Sequence, residues 1–106
     1  MTTVVRMLRS AEHDIQNEMA WYRDQQIGLE LEFLAEVDKV LKRIAQRPTK
    51  YAKRLKEYRA VLVRRFPFTV YYRLVGSEIR VAAVLHHRPG QTARNRRLTA
   101  GSAGKR

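Results

Sequence analysis

Residues 57–87 read EYRAVLVRRFPFTVYYRLVGSEIRVAAVLHH, and they hold three apolar runs in close succession. Val61, Leu62, Val63 and Phe66 form the first, Phe68, Val70, Tyr71, Tyr72 and Leu74 the second, and Ile79, Val81, Ala83, Val84 and Leu85 the third. β-Branched and aromatic side chains dominate all three, as a pleated, half-buried surface requires. Pro67 has no N–H to give to a ladder, so it belongs at a bend between the first two runs. Gly76-Ser77 separates the second and third at hairpin length, and glycine accepts positive φ. The stretch predicts a three-stranded antiparallel meander.

Toward the N-terminus the period changes. Leu29, Phe33, Val37, Val40, Leu41 and Ile44 recur with helical spacing up to about Arg47, and Pro48 then disfavours helical geometry in the residue before it. Ahead of this helix, Gln25-Gln26-Ile27-Gly28 reads as a tight joint. A further helix is expected from Ala11 to about Gln25, with Ser10 as its N-cap, Glu12 and Asp14 near the positive end of its dipole, and Ile15, Met19 and Tyr22 as its core stripe. Trp21 lies off that stripe, where it serves either as edge packing or as a contact for a partner. Thr2 to Arg9 contains Val4, Val5, Met7 and Leu8, enough for a short first strand. Thr49 to Lys56 is polar and basic and reads as a loop. The expected order is β-α-α-β-β-β, an α+β fold with an N-terminal strand and a helical hairpin packed on an antiparallel sheet.

A chain of 106 residues with 44% hydrophobic content is enough for one domain, expected over residues 1–89. Residues 90–106 are polar, cationic and poor in apolar side chains, and are expected to form a flexible tail. There is no cysteine, which excludes disulfides and thiolate metal sites. The opening residues lack the apolar core of a signal peptide, and no run approaches the roughly 20 apolar residues of a membrane span. The expectation is a cytoplasmic protein without a membrane partner.

The net charge of +12 is unevenly distributed. Residues 1–38 carry −5, residues 39–65 carry +10, and residues 90–106 add +5. A summed field of this size attracts an anionic partner, either nucleic acid or an acidic protein.

No nucleotide loop, HExxH helix or other recognisable cofactor or metal motif occurs. His86 and His87 are adjacent in a strand, so their side chains leave on opposite faces and cannot readily share a metal. Acid–base chemistry is a separate possibility for them, since histidine titrates near pH ~6.5. Arg88 follows them at once and Arg59, Arg64 and Arg65 are expected on a nearby strand, and arginines so placed can hold a phosphate during RNA cleavage while a histidine moves the proton. The alternative for His86 and His87 is a hydrogen-bonding role at the end of a strand. Arg59 likewise has two readings, a structural arginine bonded to loop carbonyls or a contact for a phosphate or partner.

The segments AEHDIQNEMAWY (11–22), GLELEFLAEVDKVLKRIAQRP (28–48), YRAVLVRRFPFTVYYRL (58–74) and IRVAAVLHHR (79–88) together resemble the ParE branch of the RelE/ParE toxin superfamily of type II toxin-antitoxin modules. The resemblance runs from about Val4 to Arg88, and its most specific part is Tyr58-Arg59 followed by RRFPFTVYY. It implies a toxin neutralised by a cognate acidic antitoxin in a hetero-oligomer, with no cofactor. The ParE branch is associated with poisoning DNA gyrase and with plasmid stabilization. The RelE branch comprises ribosome-dependent mRNA endoribonucleases that use basic residues and often a C-terminal Tyr or His. In the ParE reading Arg59, Arg64, Arg65, Trp21 and Arg88 are candidate partner contacts. In the RelE reading His86, His87, Arg59, Arg65 and Arg88 surround the scissile phosphate. The chain has no tyrosine after Tyr72, and it continues past Arg88 with Pro89-Gly90-Gln91 in place of the Arg-, Asp- and Trp-containing segment common in ParE relatives.

Overall fold

A computed structural model describes residues 4–87. The elements are β1 (Val4–Met7), α1 (Arg9–Gln25), α2 (Leu29–Gln46), β2 (Lys53–Leu55), β3 (Tyr58–Leu62), β4 (Phe68–Val75) and β5 (Glu78–His86). The strands form one sheet in the order β1-β5-β4-β3-β2. The meander of β3, β4 and β5 is its centre, and the expected α+β architecture of a strand and helical hairpin on a sheet is present. The sheet is mixed, because β1 runs parallel to β5 with Val5 opposite Ile79 and Met7 opposite Val81. A parallel neighbour needs a crossover, and here the sheet resumes only after both helices have passed across it.

Lys53–Leu55 pairs antiparallel with β3 where a loop was expected. Three residues, two of them cationic, are too short to display strand alternation. Their lysine and arginine suit a sheet edge, where charge discourages pairing with another chain. Leu55 faces Tyr58 across a tight turn in which Lys56 takes φ 53°.

One face of the sheet is covered by the helices. Phe33, Val37, Val40 and Ile44 of α2 meet Val61, Phe68, Val70, Tyr72, Ile79, Val81 and Val84, with Tyr22 of α1 and Phe66 closing one end. Phe33 and Phe68 rings lie 4.7 Å apart, and Tyr22 stands edge-on to Phe66 at 5.1 Å. Each such buried side chain contributes roughly 1.5–3 kcal/mol of transfer free energy, with aromatic pairing adding to it. On the other face Tyr58, Tyr71, Ala82, Ala83 and Leu85 form a second cluster, against which Leu8, Leu55 and Ala60 pack.

The expected Ser10 N-cap is corrected. The helix begins two residues earlier, at Arg9, with Leu8 as N-cap and no side-chain capping bond. Ser10 Oγ instead donates to the carbonyl of Ala82 at 2.6 Å, and Asp14 accepts the N–H of Val84 at 3.0 Å. The cause lies in β5: Tyr71 pairs with Ala83 and Tyr72 with Val81, so Ala82 is an extra, bulged residue. β1 has ended by this point, its last bond to β5 running from Leu8 N–H to Val81 O. The first turns of α1 take up backbone groups that the short β1 does not reach, and burial makes that more valuable than capping the helix itself.

At the helical joint Gly28 takes φ 97°, a left-handed conformation in which glycine is at little disadvantage. After α2, the chain from Pro48 to Tyr51 is fastened to the sheet by two side chains. Tyr72 donates its hydroxyl to Pro48 O at 2.7 Å, and Arg59 donates Nη1 to Tyr51 O at 2.7 Å and to Thr49 O at 3.3 Å. Burial pushes the Tyr72 phenol up to about 12, against an opposing effect of the Arg59 charge.

Candidate functional site

The residues singled out from the sequence occupy separate places. Arg59 lies opposite Tyr72 on the helix-covered side, and its guanidinium is engaged by the loop carbonyls. Arg65, in the β3–β4 turn with φ 71°, reaches across to α2, where Nη2 meets Glu32 at 2.6 Å and Nη1 meets Glu36 at 3.8 Å. Its guanidinium also lies 5.5 Å from the Phe66 ring centre. Arg64 beside it is exposed. Trp21 is 44% exposed and stands edge-on to Tyr22.

His86 and His87 part as strand alternation requires. His86 turns to the helix-covered side, edge-on to Phe68 at 4.7 Å. His87 lies at the surface, its ring bonded to the Thr69 hydroxyl and its N–H donating to Pro67 O at 2.7 Å. His86 and His87 lie at the end of the sheet beside the β3–β4 turn that carries Arg65, the His87 N–H bonding Pro67 O and His86 pairing with Phe68, whereas Arg59 sits at the far end of β3 opposite Tyr72. Arg88 and residues 90–106 lie outside the described residues. Among the described residues no group of three His, Asp or Glu side chains is placed to hold a metal, and no helix is long and apolar enough to cross a membrane.

Three further surface features emerge from the fold. First, an apolar groove of about 690 Å³ runs between α1 and α2, lined in part by Met7, Ile15, Leu31, Leu34 and Leu41. Leu31 is 61% exposed and Leu34 39%. Together with Leu41 they form a second apolar stripe on α2, beside the core stripe at positions 33, 37, 40 and 44. The spacing was visible in the sequence, because leucines off the core stripe of an amphipathic helix have no buried surface of their own.

Second, Arg6, Arg80 and Arg73 are brought side by side across three strands by the β1–β5 and β4–β5 registers. Glu78 is shared between Arg6 at 2.6 Å and Arg80 at 2.9 Å, and Glu57 takes Arg73 at 2.9 Å. The hydrogen bonds from Arg80 and Arg6 hold the Glu78 carboxyl below its ordinary value. No local sequence signal marks this row, since it depends on pairing register. Tyr71 shares this side of the sheet, and burial raises its phenol above the ordinary value despite the nearby Arg54 charge.

Third, a basic groove of about 600 Å³ lies between α2 and the β3–β4 turn, lined by Glu36, Lys39, Lys42, Arg43, Arg64 and Arg65. Its charge was legible as the +10 of residues 39–65, but its shape needed the turn to fold back on α2.

No curated protein matches the chain. A solved structure described as the chromosomal ParDE TA system from P. aeruginosa is similar at a TM-score of 0.73, with 18% identity over 81% of this chain and 97% of that one. At that identity the likeness shows the shared fold. The family model for the ParE toxin of the type II toxin-antitoxin system, parDE, matches residues 5–89, which takes in both helices and every strand of the sheet. By that match the chain belongs to the ParE toxin family of type II toxin-antitoxin systems.

Proposed function

We propose that the chain arrests growth by binding DNA gyrase and that a cognate antitoxin neutralises it by covering the helical hairpin. The observation that carries the reading is the family match over residues 5–89, since the ParE branch is associated with gyrase poisoning. Arg59 lies at the far end of β3 from His86 and His87 and is engaged by loop carbonyls, and Arg65 is engaged by Glu32, which supports action by binding over phosphodiester cleavage, for which an acid or base and free cations must converge on one phosphate.

The groove between α1 and α2 supports the antitoxin part. Exposed Leu31 and Leu34 at i, i+3 offer the contacts that an amphipathic helix uses when it lays its apolar face in a groove. An acidic antitoxin would also be drawn in by the chain's charge of +12, which acts more on the rate and specificity of encounter than on affinity.

The test is a supercoiling assay with purified chain, gyrase and relaxed plasmid. Inhibited supercoiling or trapped, protein-linked DNA breaks, reversed by the antitoxin, is the expected outcome. Unimpaired supercoiling at saturating chain would reject gyrase as the target.

A further inference from the structure

The basic groove between α2 and the β3–β4 turn is built from charged side chains alone: Lys39, Lys42, Arg43, Arg64 and Arg65, against the single carboxylate of Glu36. Lys39, Lys42 and Arg43 stand at i, i+3 and i+4, so one helix face presents all three. The opposite wall is Arg64-Arg65, held against α2 by the bond from Arg65 to Glu32. Glu36 is buried and already faces Lys39 at 3.3 Å and Arg65 at 3.8 Å. It balances one of the five positive charges that line the groove, and Glu32, outside the lining, pairs with Arg65. Lys42 meets Asp38 at 3.2 Å, but both side chains are largely exposed, and such pairs bind weakly.

One detail indicates an anion with oxygens to offer. The lining contains no aliphatic or aromatic residue. A peptide anchors through buried aromatic or aliphatic side chains, whereas a sugar–phosphate backbone is held by Lys and Arg with no apolar contact at all.

We propose that this groove binds the phosphodiester backbone of a nucleic acid duplex, through Lys39, Lys42, Arg43 and Arg64, with Arg65 fixing the turn that forms the second wall. The contact is independent of sequence, since nothing in the groove is positioned to read base edges. It goes beyond the gyrase reading and does not need it, because binding to bare duplex is measured with no gyrase present.

The experiment is fluorescence anisotropy of the full chain on a labelled DNA duplex and on an RNA duplex of the same length, over a range of salt concentrations. Lys39→Gln/Lys42→Gln/Arg64→Gln is compared with Lys50→Gln/Lys53→Gln/Arg54→Gln, which removes the same charge elsewhere. The groove variant should lower the magnitude of the log K against log salt slope by about 2.7, or about 0.9 for each lost phosphate contact. Arg64→Gln alone should lower it by about 0.9, which keeps the test valid if the triple variant unfolds. The control should change the slope by less than half as much as the groove variant. Groove-dependent binding to either duplex supports the proposal, and the preferred duplex identifies the source of the phosphates. Equal slopes for wild type and groove variant, or an equal loss in the control, would overturn it. So would polyglutamate of matched charge that competes as well as the duplex for wild type but not for the groove variant, which would assign the groove to an acidic polypeptide.

Discussion

Tyr72 performs two tasks with one side chain. Its ring is fully buried beneath the helices, while its hydroxyl holds Pro48 O at the exit of α2. Replacing it by phenylalanine keeps the packing and leaves that carbonyl without its phenol partner. Tyr72→Phe should therefore cost about 1 kcal/mol in urea unfolding at neutral pH. The pH dependence has a definite sign. A phenol raised from 10.0 to about 12 in the folded state contributes stability that is complete below pH 10.0 and is lost as pH rises toward 12. The stability of wild type relative to Tyr72→Phe should fall across that interval, and a constant difference would contradict the assignment. Glu78 acts in the opposite sense. Its lowered value means that its contribution is present at neutral pH and is lost on acidification through the folded-state value.

At the scale of elements, the contact between α1 and β5 depends on two polar side chains that cover a strand edge. Asp14→Ala would leave the N–H of Val84 without its carboxylate and should destabilise the fold by about 1–3 kcal/mol, whereas Asp14→Asn retains an acceptor and should lose clearly less. Urea denaturation of the two variants measures the difference. This contact was not legible in the sequence. Ser10 carries the side chain of a good N-cap, and only the bulge at Ala82 and the early end of β1 explain why it serves the strand instead. The meander and both helices were legible because β-branched runs and a 3.6-residue stripe persist over many residues. β2 was not, because Lys53-Arg54-Leu55 carries no period, and neither was the parallel pairing of β1, which is four residues long. Candidate site residues were legible as types and not as a constellation. Arginines near one another in sequence separated into a loop anchor, Arg59, and a helix clasp, Arg65. Arg6, Arg73 and Arg80, far apart in sequence, became neighbours through register.

The molecule as a whole separates its two kinds of surface. The acidic N-terminal third supplies most of the apolar hairpin groove, while the basic residues that follow line the groove behind α2. Antitoxin binding at the hairpin groove and duplex binding at the basic groove should therefore be separable by mutation. Leu31→Lys/Leu34→Lys should weaken antitoxin binding by at least tenfold, since two exposed apolar anchors are lost, while leaving the thermal unfolding midpoint of this chain nearly unchanged. Titration calorimetry with the antitoxin measures the first effect and a melting curve the second.

The measurement that bears most directly on the central claim is made in cells in which the chain is induced without its antitoxin, with protein-linked DNA breaks and mRNA 5′ ends mapped in the same culture. The gyrase reading predicts breaks at gyrase sites within the first minutes, no discrete mRNA cuts at that time, and the same outcome for His86→Ala and His87→Ala provided they fold. Discrete ribosome-dependent mRNA cuts that precede any DNA damage and are lost in either histidine variant would contradict it.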